Sequence, residues 1–171
     1  MRLLVSLLLT ASAISAHALE VPMQSVSADG KTTPLGNIIL TSSQYGVVLV
    51  PALHDLPPGI HGFHLHEMPS CDPGMKDGKP GAALAAGGHF DPDHAGKHEG
   101  PYGSGHLGDL PALYVGADGQ ATQPVLAPRL KIADFTGHAL VIHAGGDNNA
   151  DHPQALGGGG ARIACGVVKA P

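Results

Sequence analysis

Tryptophan is absent from this 171-residue chain, and only three phenylalanines and three tyrosines stand against twelve histidines. Cations are scarce as well: nine Lys and Arg face fourteen Asp and Glu, for a formal net charge of −5. A chain so poor in positive charge lacks the basic face that a nucleic-acid binder needs, so nucleic acid is not expected as a partner. Helical periodicity is nearly missing, and no segment recurs at a fixed period, which argues against a solenoid or a propeller. One apolar run stands out, Leu3 to Ile14. It is too short to span a bilayer and carries no stop-transfer flank. Preceded by Met1-Arg2 and followed by Ala16-His17-Ala18, a small-x-small cleavage pattern, it reads as a secretory signal peptide over residues 1–18. Cleavage after Ala18 leaves residues 19–171 as one exported domain with one core and no membrane partner.

Cysteine is limited to Cys71 and Cys165. An oxidising compartment favours pairing them, the alternative being two separate buried thiols. Glycine (25) and proline (15) are abundant, so turns and loops are plentiful. Between them the pattern is that of short strands, expected at Pro22–Ser27, Leu35–Thr41, Tyr45–Leu53, Ile60–His66, Pro111–Val115, Gln120–Leu126, His138–His143 and Arg162–Lys169. Ala117-Asp118-Gly119 reads as the turn of a hairpin joining the fifth and sixth. Pro128–Phe135 is the one stretch where a helical turn fits. Eight short strands in one domain imply an all-β sandwich or Greek-key barrel. Two connections, Glu67–Leu110 and Ala144–Gly160, are long for a compact domain and hold most of the histidines, which makes them functional loops.

His64-Leu65-His66 lies on an expected strand, where residues two apart leave the same face about 7 Å apart and can converge on one ion. His61 and Phe63 take the opposite face, and His61 reads as a hydrogen-bonded structural histidine. The first long loop adds His89, His98, His106 and Asp109. Three imidazoles and a carboxylate suit a closed tetrahedral zinc site, the alternative being a solvated polar loop. His143 ends the apolar run Ala139–Ile142, either at the mouth of a site or as a rim histidine in water.

Gly62-Phe63-His64-Leu65-His66-Glu67, Gly88-His89-Phe90-Asp91-Pro92, His106-Leu107-Gly108-Asp109-Leu110 and Gly160-Ala161-Arg162-Ile163-Ala164-Cys165-Gly166 resemble the signatures of copper,zinc superoxide dismutase, from about Val21 to Lys169 and in the family's order. Leu156-Gly157-Gly158-Gly159-Gly160 and Gly74–Lys79 resemble its bacterial periplasmic branch. The resemblance implies an eight-stranded flattened Greek-key barrel, periplasmic, that converts superoxide to hydrogen peroxide and dioxygen at a copper redox site. Copper would be held by His64, His66, His89 and His143, and zinc by His89, His98, His106 and Asp109, with His89 as the bridge. Arg162 would guide superoxide to the copper, helped by Lys76 or Lys79. Asp147 would link a ligand of each metal (His64 and His98), and Cys71 would pair with Cys165. The branch admits a homodimer as well as a monomer. His94, in a His89–His98 loop one residue longer than in animal enzymes, is expected to be solvated. Two other classes compete: a non-catalytic copper or zinc carrier on the same barrel, which should lack a ligand or the arginine, and a zinc hydrolase with Glu67 as its base, which strand parity points away from His66. The four glycines 157–160 precede no Lys-Ser/Thr, so they form a flexible turn rather than a phosphate cradle.

Overall fold

The structure, a computed structural model, describes residues 18–170. The expected signal peptide lies, except for Ala18, outside the described residues. Eleven strands follow: β1 (Leu19–Val26), β2 (Thr32–Ser43), β3 (Gly46–Leu53), β4 (Gly59–His61), β5 (Phe63–His66), β6 (Gly74–Lys76), β7 (Lys79–Gly81), β8 (Leu113–Val115), β9 (Val125–Ala127), β10 (Ala139–His143) and β11 (Arg162–Val167). Helical geometry is confined, among the described residues, to short 3-10 turns, one of them at Ile132–Phe135 inside the stretch read as a helical turn.

Seven strands form one antiparallel sheet in the order β5-β10-β11-β1-β2-β3-β9, and β4 pairs with β8. The strand expected over Ile60–His66 is broken at Gly62, whose N–H donates to the Gly145 carbonyl and whose own carbonyl accepts from His143 N–H, each at 2.8 Å. One bent segment thereby serves two partners, β4 toward β8 and β5 toward β10. With β4 and β5 taken as one strand and the β6–β7 loop hairpin set aside, the order around the molecule is that of an eight-stranded, flattened Greek-key barrel.

The hairpin expected over Pro111–Leu126 does not form. Its turn closes, Gly116 N–H bonding the Gln120 carbonyl at 2.8 Å, yet β8 pairs with β4 and β9 with β3. A local turn signal says nothing about partners when both flanking segments can bury apolar side chains against strands already in the barrel.

Alternation sets the core. Val47, Leu49 and Leu53 of β3, Leu19, Val21 and Met23 of β1, and Phe63 and Leu65 of β5 point into a single aliphatic interior. β10 is buried on both faces: Leu140 and Ile142 join this core, while Ala139 and Val141 join a smaller cluster with Ala83, Ala86 and Cys165 beneath the first long loop. That accounts for its unbroken apolar sequence. The Cys71–Cys165 disulfide fastens the same loop to β11.

The bond joins residues 94 apart, and on the chain-entropy model a loop of that length stabilises by up to about 4 to 5 kcal/mol. Denaturant unfolding of the metal-free Cys71→Ser/Cys165→Ser protein is expected to show a loss approaching that size. A midpoint equal to the parent's would mean that the loop is held without the bond.

Candidate metal centre

His64 and His66 leave β5 on the face opposite Phe63 and Leu65, and both are fully buried because the first long loop covers them. Its residues occupy the strand edge that β10 leaves open: Leu65 N–H donates to the Gly108 carbonyl at 2.9 Å, Phe90 N–H to the Leu65 carbonyl at 2.8 Å and Glu67 N–H to the Gly88 carbonyl at 3.1 Å. This backbone stitching sets His89 opposite His66 and Asp109 opposite His64. From the other edge β10 delivers His143.

Two groups of donor atoms result, each within 4.8 Å of one another: His64, His66, His89 and His143 in the first, His89, His98, His106 and Asp109 in the second. His89 belongs to both. Hydrogen bonds fix which nitrogen is spare on all of these rings but His106. His66 Nδ1–H donates to the Gly87 carbonyl (3.0 Å) and His143 Nδ1–H to that of Gly160 (3.2 Å), freeing Nε2 on both. Those two Nε2 atoms face each other at 3.4 Å. His64 and His98 donate from Nε2 to the two oxygens of Asp147, at 2.7 and 2.8 Å, freeing Nδ1. The Nδ1 atoms of His64, His98 and His106 are buried without a hydrogen-bond partner. His98 Nδ1 and His106 Nδ1 lie 2.9 and 3.4 Å from Asp109 Oδ1, yet neither makes a hydrogen bond to it. Ligands about 2.0 Å from a tetrahedral ion stand at such separations. Buried unpartnered ring nitrogens are costly, and a cation bound in each group in place of any ring proton would satisfy them. The donor sets also fit the metals: four imidazoles suit copper, and three with a carboxylate suit zinc.

Charge follows the same division. Burial, and then the neighbouring imidazoles, hold His64 down to about 3 and His143 to about 4, with His66 also well below its usual value, so these rings are neutral with lone pairs available at pH 7. Burial pushes His98 down too, but Asp109 and Asp147 together outweigh it and raise that ring to about 9. Despite burial, their hydrogen bonds to the imidazoles hold both carboxylates below the ordinary range. The two carboxylates thus hold one positive charge at the second group, as a proton on His98 or as a cation that takes its place.

The first group lines a cleft. A cleft of about 490 Å³ is lined by His66, His89, His143, Arg162, Lys76 and Leu156 among others, and none of His98, His106 or Asp109 reaches it. Arg162 sits across from His143 in the β10–β11 pairing, where the register shifts between Ile142 and His143. Its guanidinium donates to the carbonyls of Ala83 and Gly87. Gly87 has φ 78°, and a Cβ there would stand 2.8 Å from Glu67 Oε2, so only glycine can turn that carbonyl toward both His66 and Arg162.

His61 is buried with its ring nitrogens 2.8 Å from the His143 and Pro57 carbonyls, away from both groups. His94 is exposed and joins neither. Glu67 accepts from the Gly88 N–H. The run 157–160 is more than a turn: Gly157 is buried, and a Cβ on it would strike Asp147 Oδ1 at 2.2 Å. Two participants were not legible in the sequence. His138 Nδ1 lies 2.8 Å from the Glu67 carbonyl, with its ring 4.2 Å from Phe90, and Arg129 grips the loop that carries His106. Both act on backbone carbonyls, which no side-chain motif records.

The family model for copper/zinc superoxide dismutase matches residues 35–168. The chain is 54% identical over 158 residues to the Cu-Zn superoxide dismutase of Haemophilus ducreyi (91% of this chain, 79% of that protein) and 52% identical over 163 residues to that of Escherichia coli K12 (95% and 94%). Among solved structures, the Cu/Zn superoxide dismutase of Brucella abortus superposes with a TM-score of 0.87 at 46% identity, covering 90% of this chain and all of that one.

Asp147 is the one side chain that holds a ring from each group. Asp147→Ala is expected to weaken retention of both metals by about 10- to 100-fold, the usual cost of losing a ligand's supporting carboxylate. Chelator competition for copper and for zinc measures it. Unchanged affinity for either metal would show that the shared carboxylate is dispensable there.

Proposed function

Because the chain belongs to the copper/zinc superoxide dismutase family and dismutes superoxide with copper and zinc, we propose that copper is held by His64, His66, His89 and His143, zinc by His89, His98, His106 and Asp109, and that superoxide docks at Arg162. The observation that carries this reading is the asymmetry of the two groups. One lines a cleft, as a site that exchanges ligands must, and the other gathers three imidazoles and a carboxylate outside that cleft, the full ligand set of a structural zinc site.

Copper, when bound, supplies the one-electron couple that oxidises one superoxide to dioxygen and reduces the next toward hydrogen peroxide. The chain's own groups do the rest. Arg162, half-buried and fixed by two carbonyls, presents a cation beside His143 and orients the anion over the open group. Lys76 adds a second cation to the cleft wall. His89 has Nδ1 on the Asp109 side, 2.9 Å from Oδ1, so Nε2 faces the cleft and is the atom placed to take up a proton and hand it to the reduced product. Asp147 keeps His64 and His98 in one tautomer throughout.

Residues 1–18 act as an export signal in this reading, cleaved after Ala18 to release residues 19–171 into the periplasm. The Cys71–Cys165 disulfide, which needs an oxidising compartment, supports it. Neither nucleic acid nor a membrane enters the mechanism. The site is complete within one chain, so a homodimer would not alter its ligands.

Two experiments test the assignments. Arg162→Ala is expected to lower the catalytic rate constant at least about tenfold with metal content unchanged, since steering raises association by roughly 10- to 1000-fold, an effect for which this family is a known case. The deficit should narrow as ionic strength rises, and equal activity would remove Arg162 from the mechanism. For the bridge, His89→Ala should depress both copper and zinc stoichiometry, His98→Ala mainly zinc and His143→Ala mainly copper. Full occupancy of either metal in His89→Ala, with an unchanged copper spectrum, would leave two independent sites.

A further inference from the structure

The zinc-side ligands His98, His106 and Asp109 lie in the first long loop, and the side chain that holds this part of the loop comes from elsewhere in the chain. Arg129 follows β9 and precedes the 3-10 turn at Ile132–Phe135. It is half-buried, and its four hydrogen bonds all go to carbonyls of one segment: Nε to Pro101 at 3.1 Å, Nη1 to Gly105 at 3.0 Å, and Nη2 to Gly100 at 3.2 Å and to His106. Two of these carbonyls follow His98 closely and two lead into His106, so one rigid guanidinium spans the excursion between two ligands. The amides of the same segment are held from the other side. His98 N–H donates to Asp151 Oδ2 at 2.9 Å, Glu99 N–H to Asp109 Oδ2 at 3.2 Å and His106 N–H to the Lys97 carbonyl at 2.9 Å.

We infer that Arg129 is a positioning residue for zinc: its planar fork fixes the 100–106 backbone so that the imidazoles of His98 and His106 already converge with Asp109. It touches no ligand side chain, so it acts through backbone geometry alone. A guanidinium suits the task because its donors lie in one plane at fixed angles. An ammonium in its place keeps the charge but cannot orient four carbonyls at once. Copper depends on it far less. His64, His66 and His143 stand on β5 and β10, whose backbones are paired within the sheet, and only His89 is shared.

This inference rests on His98, His106 and Asp109 being the zinc ligands, a premise that His106→Ala tests by itself. The full-length protein, exported and disulfide-bonded, is prepared as parent, Arg129→Gln, Arg129→Lys and His106→Ala. Zinc and copper affinities are measured by chelator competition, and hydrogen exchange is followed over residues 98–106. Both Arg129 variants are expected to lose about 10- to 100-fold in zinc affinity, to lose much less in copper affinity, and to exchange faster within 98–106 while the barrel stays protected. Parental zinc affinity in Arg129→Lys would overturn the role of the fork, and equal losses for zinc and copper would reduce Arg129 to general support of the fold. If His106→Ala also binds zinc like the parent, the ligand assignment fails. If it alone loses zinc, only the role of Arg129 does.

Discussion

A carboxylate shared by two imidazoles holds this molecule's chemistry in place. Asp147 is buried with His64 and His98 on its two oxygens, and the Asn149 amide bonds Oδ1 as well. One ring stands on β5 and the other in the loop that crosses it, so the contact joins barrel to loop as well as one donor group to the other. It also decides chemistry at the level of protons. With Nε2–H committed, each ring has only Nδ1 left to give, and those lone pairs point into separate groups. An acid buried at this depth is tolerable because three donors meet it. The glycine at position 157 exists to let it sit there.

Support for the open group is arranged differently. His66 and Arg162 share one acceptor, the Gly87 carbonyl, and Ala83 supplies the other. Those carbonyls flank the 3-10 turn at Leu84–Ala86, where Ala83 and Ala86 pack with Val141 and Cys165 in the small outer cluster. The disulfide therefore holds the carbonyls that hold the arginine. Fold stability and the cation of the cleft meet in one short segment, whereas the second group depends on Asp109, Asp147 and the Arg129 clasp.

Period-two alternation made β3 legible in the sequence, because it has one face in the core, while β1 and β2 were found but cut short, β1 without its core residues Leu19 and Val21. The parity of Phe63 to His66 likewise gave the correct faces for both histidines. The break at Gly62 was not read, although the apolar-polar phase slips there, from Ile60-His61 to Phe63-His64. A slip of one residue does not say which strands each half will pair with, and the change of partner is a long-range choice. The same holds for the segments around Ala117-Asp118-Gly119, whose turn forms while its strands pair elsewhere. Which histidines gather together came from resemblance, since His89, His98 and His106 sit in a loop where periodicity carries no information. Gly157 to Gly160 read as a slack turn because composition cannot distinguish freedom from crowding. Arg129 left no sign at all, as its partners are carbonyls more than twenty residues away.

The register shift in the β10–β11 pairing has its own consequence. Cys165 faces Val141 and Ala164 faces Ile142, after which His143 meets Arg162, so β11 carries one residue too many. Ile163 and Ala164 both turn toward the main core. In an unbulged strand Ile163 would lie over the cleft and the arginine would point into the aliphatic interior. A bulge re-aims every side chain beyond it, so the group that lines the cleft is chosen by counting, odd or even. Parity is a discrete property, and side-chain substitution along β11 can vary what stands at each position without exchanging which positions face the cleft. Only adding or deleting a residue can do that.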